Sequence, residues 1–321
     1  MDYNRIRAAN DRLMGHKRVT PLLSSPFLDD IAGKRVFVKP ECLQHTGSFK
    51  YRGAFSAVSA LPDETRAKGV IAFSSGNHAQ GVALAARQHG ISSVIIMPAD
   101  APKTKIDNTR ALGAEVVLYD REHEDRDEIG ARISQERDLT LIKPFDEPEV
   151  IAGQGTCGLE IAQQAAELGI KDADVLVCCG GGGLTSGIAL ALEQDAPNMR
   201  VRPVEPEGFD DVCRSLISGQ IERNPTTLGS LCDAIVTLSP GQLTYPIMQR
   251  LCHAGITVTE EQALHAMQLA HDRLKITIEP GGAVALAAAL FYGDQTSSDC
   301  VIAVASGGNV DRDVFERALT A

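Results

Sequence analysis

Short apolar runs alternate with amphipathic stretches along most of this chain, and that alternation limits the folds open to it. The strand-like runs are 36–39, 70–73, 93–97, 115–118, 139–142, 175–179, 201–204, 234–238 and 301–305. Between several of them the apolar positions recur at helical spacing, as in 80–89, 103–112 and 127–137. Strands joined through helices form βαβ units, whose sheets are mainly parallel and bind ligands beyond the carboxyl ends of the strands. The expected fold class is therefore α/β, with open twisted sheets flanked by helices. The tight, even spacing from 70 to 142 predicts a compact unit of four short strands. The stretch Lys143-Pro144-Phe145-Asp146 is the expected return crossing into a larger one.

Composition excludes some classes of function. The net charge is −11 and no basic stripe interrupts it, which argues against a nucleic-acid binder. The longest apolar run, near 281–293, is shorter than the roughly 20 residues a membrane span requires. The first residues, MDYNRIRAANDRL, carry no apolar signal core, so a cytoplasmic location is expected. The 8 cysteines include no CxxC pair, which predicts free thiols.

Two features point to chemistry. The run Val175-Leu-Val-Cys-Cys179 ends in Gly180, Gly181, Gly182 and Gly183, followed by Leu184-Thr-Ser-Gly187, where a helix can begin. Consecutive glycine N–H groups at a helix start form a nest for an anion, helped by the helix dipole. No Gly-Lys-Ser/Thr follows and no clean GxGxxG is present, so the nest fits a phosphate without a nucleoside; a tight turn of small residues is the plainer alternative. In Thr46-Gly-Ser-Phe-Lys-Tyr-Arg-Gly-Ala54, Lys50 stands among small polar residues near an expected helix start. The positive end of a helix disfavours an ammonium, lowering its pKa and making the amine nucleophilic. A phosphate nest together with a nucleophilic lysine fits pyridoxal phosphate, whose aldehyde condenses with lysine.

With Ser74-Ser-Gly-Asn-His78 and Ser306-Gly-Gly-Asn309, these motifs stand in an order that resembles the serine/threonine dehydratase and serine racemase family. That is a family of fold-type II pyridoxal-phosphate enzymes, tryptophan synthase β-like in fold, and the resemblance runs from Thr20 to Asn309. It implies a large cofactor-binding domain from 1–65 and 145–321, with a small mobile domain, 66–144, inserted in it. Lys50 resembles the lysine that bonds the cofactor and takes the Cα proton on one face; Ser75 is similar to the serine that acts on the other face in the racemases. Asn77 resembles the partner of the cofactor's 3-hydroxyl, Gly180 to Gly183 with Leu184 match the phosphate loop, and Glu279 lies in a turn beside the ring. Ser306 resembles the partner of the pyridine nitrogen. A hydroxyl there leaves the nitrogen unprotonated, which favours loss of a β-leaving group over transamination. Ser74, Ser75, Gly76, Asn77 and His78 are the expected substrate loop. The segment Glu205-Pro-Glu-Gly-Phe-Asp-Asp211 resembles one that holds Mg²⁺, Ca²⁺ or Mn²⁺ through Glu205, the Phe209 carbonyl and Asp211; a solvated acidic loop is the alternative.

Two departures bear on the substrate. The family's Thr-Ile-Ala-Asp-Gly segment reads Thr227-Leu-Gly-Ser-Leu231, placing Ser230 at the acid, and its His-Pro pair reads Lys143-Pro144. Losing a negative group and gaining a positive one favours a substrate with a second carboxylate, for which His45 is a further contact. The expected activity is dehydration of 3-hydroxyaspartate to iminosuccinate, then oxaloacetate and ammonia. A serine or threonine dehydratase, a serine racemase, and a non-catalytic binding protein on the same scaffold are the alternatives. A homodimer is implied by the resemblance, and the chain's end soon after 309 implies no regulatory domain.

Overall fold

The structure, a computed structural model, describes residues 2–320. It contains ten strands: β1 (Leu23–Ser24), β2 (Arg35–Pro40), β3 (Val70–Phe73), β4 (Ser93–Pro98), β5 (Glu115–Tyr119), β6 (Thr140–Leu141), β7 (Ala173–Cys178), β8 (Met199–Pro206), β9 (Ile256–Val258) and β10 (Cys300–Ala305). Six form one sheet in the order β1-β2-β10-β7-β8-β9, and four form a second in the order β5-β4-β3-β6. Only β1 pairs antiparallel, so both sheets are essentially parallel, as the alternation requires. Most of their strand residues are buried, because helices cover both faces.

One predicted strand is absent. Residues 234–238 are irregular, with Ile235 alone buried and its carbonyl lying against Gly180. The run that reads as a strand serves as a cover over the glycine loop instead. β1 and β9 are 2 and 3 residues long, too short to show an alternating pattern.

The apolar run near 281–293 is the helix Pro280–Phe291, buried through Leu290 and packed against β7, β8 and β10. A helix apolar on every face belongs inside a protein, and its proline occupies the first turn, where no N–H bond is lost. On the opposite face, helices Pro148–Glu167 and Gly183–Asp195 touch backbone to backbone. A Cβ on Gly187 would lie 2.6 Å from the Gly155 nitrogen. That contact ties the long helix to the start of the helix behind the glycine loop.

Neighbouring strands β2, β10 and β7 set the site. Their carboxyl ends lead into Lys50, Ser306 and the glycine loop respectively, so three segments far apart in sequence meet above one sheet edge. From the other sheet, β3 delivers Ser74 to His78.

Candidate active site

Lys50 is the first residue of helix Lys50–Ala60 and is half-buried. Its Nζ donates to the Pro144 carbonyl at 2.9 Å and lies 5.2 Å from the Phe49 ring centre. Burial lowers its pKa to about 8, against the opposing pull of the Glu279 carboxylate. A lysine so placed is a substantially neutral amine near pH 8, as a nucleophile must be.

The loop from Gly180 to Gly183 lines the same cavity as Lys50, with Phe49, Phe145, Gln154, Leu184, Thr185 and Thr237. Gly182 caps helix Gly183–Asp195 with φ of 87°, a left-handed conformation that favours glycine. Protein atoms also crowd this loop. A Cβ on Gly181 would overlap the Phe145 ring, one on Gly182 the end of Met248, and one on Gly180 would lie 2.6 Å from the Ile235 carbonyl. Both amide atoms of Gln154, Thr185 Oγ1 and Thr237 Oγ1 are buried without partners. Unpaired buried polar atoms facing a helix start fit a ligand rich in acceptors and donors, such as a phosphate.

Asn77, Glu279 and Asn309 form one hydrogen-bonded chain. Asn77 begins helix Asn77–Gln88; its Nδ2 donates to Glu279 Oε1 at 2.6 Å, and its Oδ1 accepts from Asn309 Nδ2 at 2.6 Å. Asn309 Nδ2 also donates to the Thr46 carbonyl, at 2.8 Å. Glu279 is buried at the N-cap of helix Pro280–Phe291, and burial pushes its carboxyl up to about 7. A Cβ on Gly307 would overlap Glu279 Oε1, so a side chain there would displace that carboxylate. Ser306 is buried beside the Cys178 thiol, and its carbonyl accepts from Phe49 N at 3.1 Å.

In the expected substrate loop, Ser74, Ser75, Gly76 and Asn77 are half-buried, and Ser74 Oγ accepts from Gly76 N at 3.1 Å. His78 is buried, and its Nε2 donates to the Ile142 carbonyl at 2.9 Å. Burial and the nearby Lys50 lower its pKa to about 3, so the ring is neutral, and its Nδ1 is buried without a partner.

Three expected substrate contacts do not line the Lys50 cavity. Ser230 lines a second cavity with Lys105, Asp233, Glu279, Asn309 and Asp311. Lys143 is exposed and lines neither cavity; its backbone N–H donates to Glu147. His45 packs edge-on against Tyr51, 4.9 Å between ring centres, and lines neither cavity. Asp233, three residues on, is an acid lining the same cavity as Ser230, and Lys143 is exposed, directly before the Pro144 whose carbonyl accepts from Lys50.

In the expected metal segment, Glu205 lies near the end of β8, fully buried, and accepts from Val212 N at 3.0 Å and Cys213 N at 2.7 Å. Asp211, also buried, accepts from Asn224 Nδ2 at 2.6 Å through Oδ1, while Oδ2 has no partner. Phe209 stands between them in a half-buried turn. No cluster of three His, Cys, Asp or Glu side chains able to hold a metal occurs among the described residues. Both Glu205 oxygens thus already accept backbone N–H bonds, and Asp211 Oδ2 is the carboxylate oxygen of this pair without a partner, a hard donor of the kind a divalent cation takes.

Sequence reading missed an anchor behind the lysine. Arg52 is fully buried and bonds Glu41 at 2.7 and 2.8 Å and Glu160 at 2.8 and 2.9 Å. Lys39 also donates to Glu160, at 2.8 Å. An isolated arginine two residues past a lysine gives no sign that it is buried.

The model of the family described as "Pyridoxal-phosphate dependent enzyme" matches residues 13–307. The chain belongs to that family. Among fellow members, it is 40% identical to a serine racemase of Arabidopsis thaliana, over 95% of this chain and 92% of the relative. It is also 40% identical to an L-threo-3-hydroxyaspartate ammonia-lyase of Pseudomonas sp, over 99% and 98% of the two chains. A crystal structure of threonine deaminase from T.th. superposes with a TM-score of 0.91 at 43% identity, covering 97% of this chain and 99% of the other. This pyridoxal-phosphate dependent enzyme thus has the expected fold-type II architecture, and its 8 cysteines are free.

Proposed function

We propose that this enzyme is an ammonia-lyase that dehydrates a β-hydroxy amino acid, with 3-hydroxyaspartate as its substrate. The observation that carries the reaction class is one cavity holding Lys50, with its lowered pKa, and the glycine loop, beside a strand end that presents a hydroxyl, Ser306. The 40% identity to the Pseudomonas hydroxyaspartate enzyme over 99% of this chain is in keeping with that substrate, and the Arabidopsis serine racemase is equally similar.

Bound pyridoxal phosphate supplies a carbonyl that takes up the substrate amine and a ring that accepts the electrons of the broken Cα–H bond. Lys50 would hold that carbonyl and afterwards, as a neutral amine, receive the Cα proton. Ser75 is the candidate for the same work on the opposite face. The glycine loop and Leu184 would hold the phosphate, Asn77 the ring hydroxyl and Ser306 the ring nitrogen, with Ser74, Ser75, Gly76, Asn77 and His78 around the substrate carboxylate. Glu205, the Phe209 carbonyl and Asp211 would hold Mg²⁺ or a similar cation in a structural role. The reading also includes closure of a small domain, 66–144, over the substrate, a homodimer and a cytoplasmic location.

A second reading, a serine or threonine dehydratase or serine racemase, is favoured by Asp233, which keeps an acid in the Ser230 cavity and opposes a second substrate carboxylate. The test is a panel of the four 3-hydroxyaspartate stereoisomers against L- and D-serine and L-threonine, with and without Mg²⁺, following keto acid and ammonia. Preferred turnover of a hydroxyaspartate supports the proposal. Faster turnover of serine or threonine replaces it with the second reading, and absence of a cofactor absorbance band near ~410–420 nm removes the lyase altogether.

A further inference from the structure

We infer that Gln154 is a side-chain ligand of the cofactor's phosphate, an assignment that rests on the pyridoxal-phosphate reading of the cavity. Gln154 lies in helix Pro148–Glu167 and is 1% exposed, yet neither its Oε1 nor its Nε2 has a hydrogen-bond partner. Leaving a buried polar group unpaired costs about 1–3 kcal/mol. Gln154 leaves two unpaired, so by itself the chain gives this amide no reason to be there.

The backbone holding it cannot withdraw. Gly153 and Gly155 flank it; a Cβ on Gly153 would overlap the Arg52 carbonyl, and one on Gly155 would lie 2.8 Å from the Gly187 carbonyl. The amide is thereby wedged between the two helix starts of the site. A Cβ on Gly183 would lie 2.5 Å from Gln154 Oε1, and one on Gly53, in the lysine's helix, 3.0 Å from Nε2. The glycines at 53 and 183 are what make room for it.

The cavity it faces holds Lys50, the glycine loop and Thr185, whose hydroxyl is also buried and unpartnered. Lys50 Nζ is engaged with the Pro144 carbonyl. An anion on the N–H groups at the start of helix Gly183–Asp195 accepts from every direction. A half-turn of the amide exchanges its oxygen and nitrogen at no change in shape, presenting NH₂ to that anion. A phosphate therefore satisfies Gln154, which in turn gives it donors that a bare helix start lacks, and Thr185 Oγ1 is placed to add another.

The test separates phosphate from ring. Apoprotein is titrated with pyridoxal phosphate and with pyridoxal, which lacks the phosphate, following the absorbance of the lysine-bound carbonyl. Gln154→Leu should weaken pyridoxal phosphate about 10- to 100-fold, the loss of one hydrogen bond to a charged group, and leave pyridoxal within about threefold of wild type. Gln154→Glu, of nearly the same shape, should weaken pyridoxal phosphate further by repulsion. Equal losses for both ligands, or no loss for either, overturn the assignment. If the variants do not fold, the wild-type Gln154 side-chain amide resonance decides: it should shift on adding pyridoxal phosphate and not on adding pyridoxal, and an unmoved resonance overturns the assignment. Wild-type protein that takes up neither ligand overturns the underlying cofactor reading instead.

Discussion

Asn77 Nδ2 donates to Glu279 Oε1 at 2.6 Å, joining the loop after β3 of the four-stranded sheet to the cap of a helix packed on the six-stranded one. Glu279 is the buried member of this pair, and burial raises its carboxyl from 4.5 to about 7. The folded chain thus holds the proton more tightly than the unfolded chain. Its contribution to stability is complete below pH 4.5 and is lost as pH rises through about 7. Glu279→Gln keeps an acceptor for Asn77 and removes the titration. Apoprotein unfolding by urea should show wild type losing on the order of 3 kcal/mol relative to this variant between those limits. Parallel pH profiles for the two proteins would contradict this.

Lys50 titrates near 8 because it is buried, where an exposed lysine titrates at 10.5. The rate at which apoprotein takes up pyridoxal phosphate should rise with pH to a midpoint near 8. Lys50→Ala should abolish the absorbance band and the turnover together. A midpoint in stopped-flow absorbance at the 10.5 of an exposed lysine would show that the amine is not desolvated.

Arg52 bonds both Glu41 and Glu160 in a site that excludes water. Burial opposes ionisation of Glu160, but Arg52, Lys39 and Lys17 outweigh it and hold its carboxyl well below the usual range. Arg52→Met leaves Glu41 facing an apolar chain, so a loss of about 3–5 kcal/mol is expected in denaturant unfolding. Since the same helix begins with Lys50, cofactor retention should fall with it. A variant as stable as wild type would show the network to be dispensable.

For the acidic segment, Mg²⁺ at about 100 times its dissociation constant should stabilise the fold by about 2.7 kcal/mol. Asp211→Asn, which keeps an acceptor for Asn224, should abolish that gain with little change in the melting temperature in chelator. Glu205→Gln should abolish it and also lower the chelator melting temperature, because glutamine can accept only one of the two backbone N–H bonds that Glu205 takes. Equal melting of wild type in Mg²⁺ and chelator would exclude the cation.

Substitutions in the glycine loop should act on folding and on the cofactor together. Gly182→Ala puts a side chain at φ of 87° against Met248, and Gly181→Ala meets the Phe145 ring. Strain of this kind costs roughly 1–3 kcal/mol, so lower apoprotein melting temperatures are expected in both. Unchanged melting with weaker cofactor binding would mean that Phe145 and Met248 move aside freely.

The chain by itself determined its layers and most of its chemistry. Apolar runs of strand length between helical stretches admit little but parallel sheets, and 175–183 and 46–54 carry a glycine turn at a helix start and a lysine at another, features that depend on local backbone and residue type. Tertiary structure decided what depends on neighbours. It turned 234–238 from a strand into a cover over the loop, and set Asp233 beside Ser230 where local alignment implied a lost acid. It placed Lys143 on the surface and buried Arg52 and Gln154. Burial, and with it the state of every charge in the site, belongs to surfaces that meet only when β2, β7 and β10 lie side by side.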